Sequence, residues 1–298
     1  MSRLINPYRF GGRPNYRYYR FTFYGTMGDV VCPARIQMAS TPGGADFTGS
    51  KTYSGSGSQI ASYAFDSNLG VIWYDGWTVT DPYLQIDCGS PTRLAEFIVT
   101  ARNDAWYYQA PTNIGLAGSN DGTNWTGLQF YSNISWASAG QTQTFTVPIA
   151  SLVDLRASAF LWRVRVTATV SGAGPSFAEL IFANSNGGAT ICTGGSPLHQ
   201  AVFAGPATTY GPTKAFDGNN GTFSIAKNDG CVGGLGYIFA SSVAPVQMRM
   251  RARNDGYHNE APKNGSIQWS SNGFHWTDTD TFTNLTWSSG EEKSISIS

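Results

Sequence analysis

Ser119-Asn120-Asp121-Gly122-Thr123-Asn124-Trp125 returns as Ser270-Ser271-Asn272-Gly273-Phe274-His275-Trp276, 151 positions on (270 minus 119). A polar turn closed by tryptophan joins two strands, and its return decides how the chain is built. In the same register Ala64-Phe65-Asp66 returns as Ala215-Phe216-Asp217, and Ala101-Arg102-Asn103-Asp104 as Ala252-Arg253-Asn254-Asp255. Ala110-Pro111 returns as Ala261-Pro262, and Ser132-Asn133-Ile134-Ser135-Trp136 as Thr283-Asn284-Leu285-Thr286-Trp287. One register held from residue 64 to residue 136 without a gap marks two copies of one unit. Upstream, Tyr19-Arg20-Phe21 matches Trp162-Arg163-Val164 at 143 positions (162 minus 19), so the second copy carries longer loops before Ala215. The expected division is an arm at 1–15, a first module at 16–148, a linker at 149–158 and a second module at 159–298.

Within a module, apolar and polar residues alternate. Phe160 to Val170, Pro82 to Gly89, Leu94 to Arg102, Asn113 to Ala117, Trp125 to Tyr131 and Thr142 to Val147 read as strands, with Phe177 to Phe182 another. Glycine (35 residues) and aromatics (14%) are abundant and charged residues are only 13%. That is an all-β profile, and short strands with polar turns predict two tandem β-sandwiches. The formal charge of zero gives no global field toward nucleic acid. The N-terminal residues lack the apolar segment of a secretory signal, and no apolar run reaches membrane-spanning length. Cytosolic synthesis follows as the expectation, with Cys32, Cys88, Cys192 and Cys231 as free buried thiols. Trp125, Trp136, Trp276 and Trp287, placed alike in both copies, read as core.

Phe216-Asp217-Gly218-Asn219, Tyr83-Leu84-Gln85-Ile86-Asp87-Cys88-Gly89 and the Ser119 to Trp125 turn resemble the discoidin family, the coagulation-factor C-type, galactose-binding-like jelly roll. Trp162-Arg163-Val164-Arg165-Val166-Thr167 and Ala178-Glu179-Leu180-Ile181-Phe182 resemble its closing strands. Here a copy of those strands comes first. Either each module is circularly permuted, or residues 40–184 form a domain of ordinary order and residues 16–39 complete the other. The permuted order behind a short arm resembles modules in virion proteins of tailed bacteriophages, as does Asn6-Pro7-Tyr8-Arg9-Phe10-Gly11-Gly12.

The resemblance implies a calcium site in the second copy at Asp217, Asn219, Thr222 and Glu179, a set of hard oxygen ligands. In the first copy Val71 and Arg35 replace the Thr and the Glu. The resemblance also implies loops that bind sugars or lipid head groups. Trp73, Tyr74, Trp77, Trp106, Tyr107 and Tyr108 are the first copy's candidates to stack on a sugar, with Arg102 and Asn103 as hydrogen-bonding partners. Arg253, Tyr257, His258, Asn259 and Glu260 are the second copy's. The competing reading makes some of these aromatics core caps or contacts to a neighbouring subunit.

The arm interleaves Arg3, Arg9 and Arg13 with Tyr8 and Phe10. That pattern suits nucleic acid or an extended peptide docking on a protein. The neutral chain favours docking through Arg3, Tyr8, Arg9, Phe10 and Arg13. No Gly-x-Ser-x-Gly elbow, paired metal-binding histidines or phosphate loop points to catalysis. The expected function is therefore that of a non-enzymatic virion protein, a tail-associated fibre or receptor-binding component that oligomerises in the particle, contacts host surface glycan and requires no cofactor beyond that calcium. The alternatives are a head decoration protein or head fibre, and a carbohydrate-binding accessory module of an enzyme.

Overall fold

The computed structural model describes residues 15–28, 30–57, 59–75, 81–148, 160–199, 207–226 and 233–298. The arm through residue 14, the linker and Cys231 lie outside them. The protein is all-β. Its first eight strands are β1 (Asn15–Phe23), β2 (Arg35–Ala39), β3 (Thr52–Gly55), β4 (Tyr83–Arg93), β5 (Glu96–Thr100), β6 (Ile114–Ser119), β7 (Thr126–Tyr131) and β8 (Thr142–Thr146). They form one sheet in the order β3-β4-β1-β6-β7 and a second in the order β2-β5-β8.

The alternation along β1 explains its place in the first sheet. Tyr19, Phe21 and Phe23 face inward, and a break of register between Tyr16 and Tyr18 brings Tyr16 to the same side. These rings meet Ile36, Met38, Phe97 and Val99 of the smaller sheet in one core. Phe21 and Phe97 touch edge to face at 5.1 Å between centroids.

The remaining strands are β9 (Leu161–Thr169), β10 (Ser176–Phe177), β11 (Glu179–Ala183), β12 (Ser196–His199), β13 (Ser224–Ile225), β14 (Gly234–Ile238), β15 (Gln247–Arg251), β16 (Pro262–Ser270), β17 (Thr277–Phe282) and β18 (Glu292–Ser296). Their sheets run β12-β14-β9-β16-β17 and β11-β15-β18, with β10-β13 as a small extra pair. Trp162, Val164 and Val166 of β9 close on Phe182, Met248 and Met250. β9 lies between β14 and β16 as β1 lies between β4 and β6. The core indoles Trp136 and Trp287 each donate Nε1–H to a proline carbonyl, Pro111 and Pro262, at 3.0 and 2.8 Å.

The two large sheets also meet each other. Arg20 and Arg163 stand at matched positions on the faces turned away from their cores. Arg20 stacks on its own Trp125 at 4.1 Å and reaches Phe274 of the second half at 5.9 Å. Arg163 is 3% exposed, lies 3.7 Å over Trp276, and donates to Gln268 at 2.6 Å and to Asp81 of the first half at 3.2 Å. Tyr24, Leu161, Leu198 and Ile238 form an apolar seam beside them. The Tyr24 hydroxyl donates to the Gly273 carbonyl, and the Trp125 ring lies 6.0 Å from Phe274.

Several sequence expectations change here. Trp125 and Trp276 are half-buried at this seam rather than in the cores. The expected strand from Phe177 to Phe182 divides at Ala178 into β10 and β11. The edge strands β3 and β12, the one-turn helix Ala207–Tyr210 and short 3-10 turns were not anticipated. Cys32, Cys88 and Cys192 are free and buried.

Candidate functional site

Each half carries a loop between its fifth-strand equivalent and the following core strand, built around an arginine clamp. Arg102 donates Nε–H and an Nη2–H to Asp104 at 3.0 and 2.5 Å, and an Nη1–H to Gln109 at 2.9 Å. Asp104 accepts the Trp106 backbone N–H at 2.9 Å. Arg253 repeats this with Asp255 and Glu260, and Asp255 accepts the Tyr257 N–H at 2.9 Å. The hydrogen bonds from Arg102 hold the Asp104 carboxyl below its usual range. Burial pushes the Asp255 carboxyl up, but the Arg253 guanidinium and the backbone N–H of Tyr257 together hold it below its usual range.

The clamps lift one aromatic per half into solvent. Trp106 is 48% exposed and Tyr257 61%. They are 151 positions apart (257 minus 106), so they occupy one place in the repeat. Just beyond the first strand of each half stands a second exposed apolar residue, Met27 or Val170. The Met27 N–H donates to Tyr108 of the first loop, and Val170 to Ala261, which closes the second.

The other candidates fall elsewhere. Trp73 is fully buried against Phe23, with ring centroids 5.9 Å apart, and is core rather than ligand contact. Tyr74 packs on Val30 and Cys32 and accepts from Gln59 at 2.8 Å. Tyr107 packs on the first core. Arg102 and Arg253 each direct three hydrogen bonds into their own loops, which makes them positioning residues for those loops. Asn103 is exposed at the loop edge. His258 is half-buried, with Nδ1 3.2 Å from the Asp255 carbonyl. Trp77 and the docking candidates Arg3, Tyr8, Arg9, Phe10 and Arg13 lie outside the described residues.

Sequence reasoning missed the partners of the clamp. Asp104, Asp255 and Gln109 were readable from the repeat, because they share its register. Phe223, over which Arg253 lies at 3.7 Å, has no counterpart, since Ile72 takes its place in the first copy.

The Asp217 loop gathers oxygens. The Thr222 hydroxyl oxygen lies 2.9 and 2.8 Å from the two Asp217 carboxylate oxygens and 2.9 Å from the Asn219 carbonyl. A hydroxyl has one proton to donate, so it cannot satisfy both the Asp217 carboxylate and the Asn219 carbonyl at once. Glu179 is 5% exposed and its Oε1 has no hydrogen-bond partner. Burial and the neighbouring Asp217 charge push its carboxyl up to about 7, against Arg251 and backbone N–H groups. Crowded oxygens beside an orphaned carboxylate oxygen fit a hard cation. Two carboxylates form the set, and among the described residues no group of three or more His, Cys, Asp or Glu stands together. Lys214, 3.9 Å from Asp217, works against the cation. In the first half Arg35 takes the place of Glu179 and pairs with Asp46 at 3.1 Å. Asp66 and Asn68 accept the N–H groups of Asn68 and Gly70, as Asp217 and Asn219 accept those of Asn219 and Gly221, but Val71 brings no hydroxyl where the second copy has Thr222.

No solved structure matches the chain. The family model of the F5/8 type C domain matches residues 46–168, a stretch that starts after β2, takes in β3 to β8 and ends within β9 of the other sandwich. This similarity supports a discoidin-like module in the chain.

Proposed function

We propose that the protein is a non-catalytic attachment protein made of two discoidin-type modules in permuted strand order. Two observations support the order. β1 and β9 fill the same slot in their sheets, and the family match runs through β8 into β9, as an unpermuted module would. The single observation that carries the binding function is the matched exposure of Trp106 and Tyr257 on arginine-clamped loops. A rigid aromatic edge held clear of its own fold is suited to stack on a saccharide ring. Two such loops in one chain, and more in an oligomer, raise weak contacts to useful avidity.

The setting is a tailed-bacteriophage virion, most simply its tail, with the basic, aromatic arm docked on another virion protein and host surface glycan as the ligand. Calcium, held by Asp217, Asn219, Thr222 and Glu179, would lock the loop between β12 and β13 by neutralising its crowded oxygens. The family match taken alone equally suits an accessory carbohydrate-binding module of an enzyme. The test is a Trp106→Ala/Tyr257→Ala double variant in a host-polysaccharide pull-down. Binding should fall at least tenfold while the melting temperature stays put. Undiminished binding rejects these loops as the contact.

A further inference from the structure

The junction of the two halves holds a cleft of about 370 Å³, lined by Ser132 and Asn133 from the first sandwich and by Phe160, Gly194, Gly195 and the stretch from Ile238 to Ser242 from the second. No member of that lining is ionisable. The hydroxyls of Ser132, Ser241 and Ser242 and the Asn133 amide belong to exposed residues at its edge, while Phe239 is 5% exposed and Phe160 half-buried.

The glycine wall is required by geometry. A Cβ on Gly195 would sit 2.0 Å from the Ile238 carbonyl oxygen and 2.8 Å from the Tyr237 ring, so that position admits no side chain. Gly194 has a φ of +69°, and a Cβ there would meet nothing within 4 Å, so open space lies in front of it. The cleft is therefore walled by backbone on one side, with the half-buried Phe160 in its lining and neutral donors and acceptors at its rim.

We infer that this cleft binds a neutral saccharide of one or two rings. Charged ligands find no counter-charge in the lining, and burying an unpaired charge is costly. A sugar ring offers a C–H patch to the half-buried Phe160 ring and hydroxyls to the rim. The volume lies toward the lower end of the ~300–1,000 Å³ typical of small-ligand sites. The ligand class rests on the glycan-binding reading above; the location does not. Because both halves supply the lining, this site belongs to the junction and is separate from the Trp106 and Tyr257 loops.

The experiment is saturation-transfer NMR on the full chain with methyl β-galactoside, methyl α-glucoside and N-acetylglucosamine, and glucuronate as the charged comparison. Ala240→Trp fills the cleft from an exposed position, and Ser242→Trp does so from the same rim should the first variant fail to fold. All arms are run in the Trp106→Ala/Tyr257→Ala background, where the exposed loops contribute nothing; transfer to at least one neutral sugar is expected there, and about tenfold weaker once the cleft is blocked. Transfer that survives the block, or that glucuronate gives as strongly, overturns the proposal. So does the absence of transfer from every neutral sugar. Transfer that the wild type shows and this background lacks overturns the cleft while supporting the exposed loops.

Discussion

Gly122 and Gly273 occupy the same turn in the two halves, with φ of +74° and +68°. Alanine at either must adopt the left-handed region at a cost of about 1–2 kcal/mol. Their surroundings differ. A Cβ on Gly122 meets only the Tyr18 ring, at an ordinary 3.6 Å, whereas one on Gly273 would lie 2.1 and 2.5 Å from two Phe130 ring carbons across the seam. The second clash is overpacking of a closed contact, worth a further ~1–3 kcal/mol. Gly273→Ala should thus cost about 2–5 kcal/mol and Gly122→Ala about 1–2. Urea melts followed by tryptophan fluorescence compare the two directly. At roughly 1–3 kcal/mol per molar, the extra cost moves the midpoint by about 1 M. Equal losses from the two variants would refute the packing of the halves, because the turn geometry is common to both.

Trp73→Ala, once attractive as a ligand-site change, should instead destabilise the first sandwich by ~3–5 kcal/mol, measured in the same melts. Calcium should raise the melting temperature of the wild type and leave Asp217→Ala unmoved, as differential scanning calorimetry with and without chelator will record. The Arg17 hydrogen bonds hold the Asp87 carboxyl down to about 2. A depressed native carboxyl contributes stability above its unfolded pKa of about 4 and loses it as pH falls through 2. In Arg17→Ala the native carboxyl returns toward its unfolded value, so the variant should be less stable than wild type at pH 7 and the difference should shrink as pH falls from about 4 to 2, read from urea melts at each pH. Deleting residues 1–14 should leave both sandwiches folded and abolish incorporation into particles, checked by protein analysis of purified virions.

The repeat and the strands were legible because alternation and turn chemistry are local. Leu161 to Thr169 and Thr142 to Thr146 fall within a residue or two of their expected bounds. Burial against a second sandwich was not legible, since an arginine such as Arg163 on the polar side of β9 looks like a solvated face. The second hairpin nevertheless carries a trace of it. Asp121, Thr123 and Asn124 are exposed, while their counterparts Asn272, Phe274 and His275 exchange charge for apolar and aromatic character where the halves meet. Trp73 misled because an aromatic in a predicted loop gives no sign of which way it turns. Arg102 misled because its acceptors, two and seven residues on, are set by the shape of the loop.

The slot between β4 and β6 has two sequence-matched claimants. β1 leaves the ribosome first and waits for both neighbours, whereas β9 follows directly after β8, when those neighbours are already in place. The two strands share the pattern of Tyr19-Arg20-Phe21 and Trp162-Arg163-Val164, apolar residues inward and an arginine outward. A chain in which β9 took that slot would leave β1 loose and the second sandwich without its central strand. Two such chains can cure each other by trading strands. The order of synthesis, and not only the stability of the finished sandwiches, would then decide whether such a chain closes on itself or on a second copy.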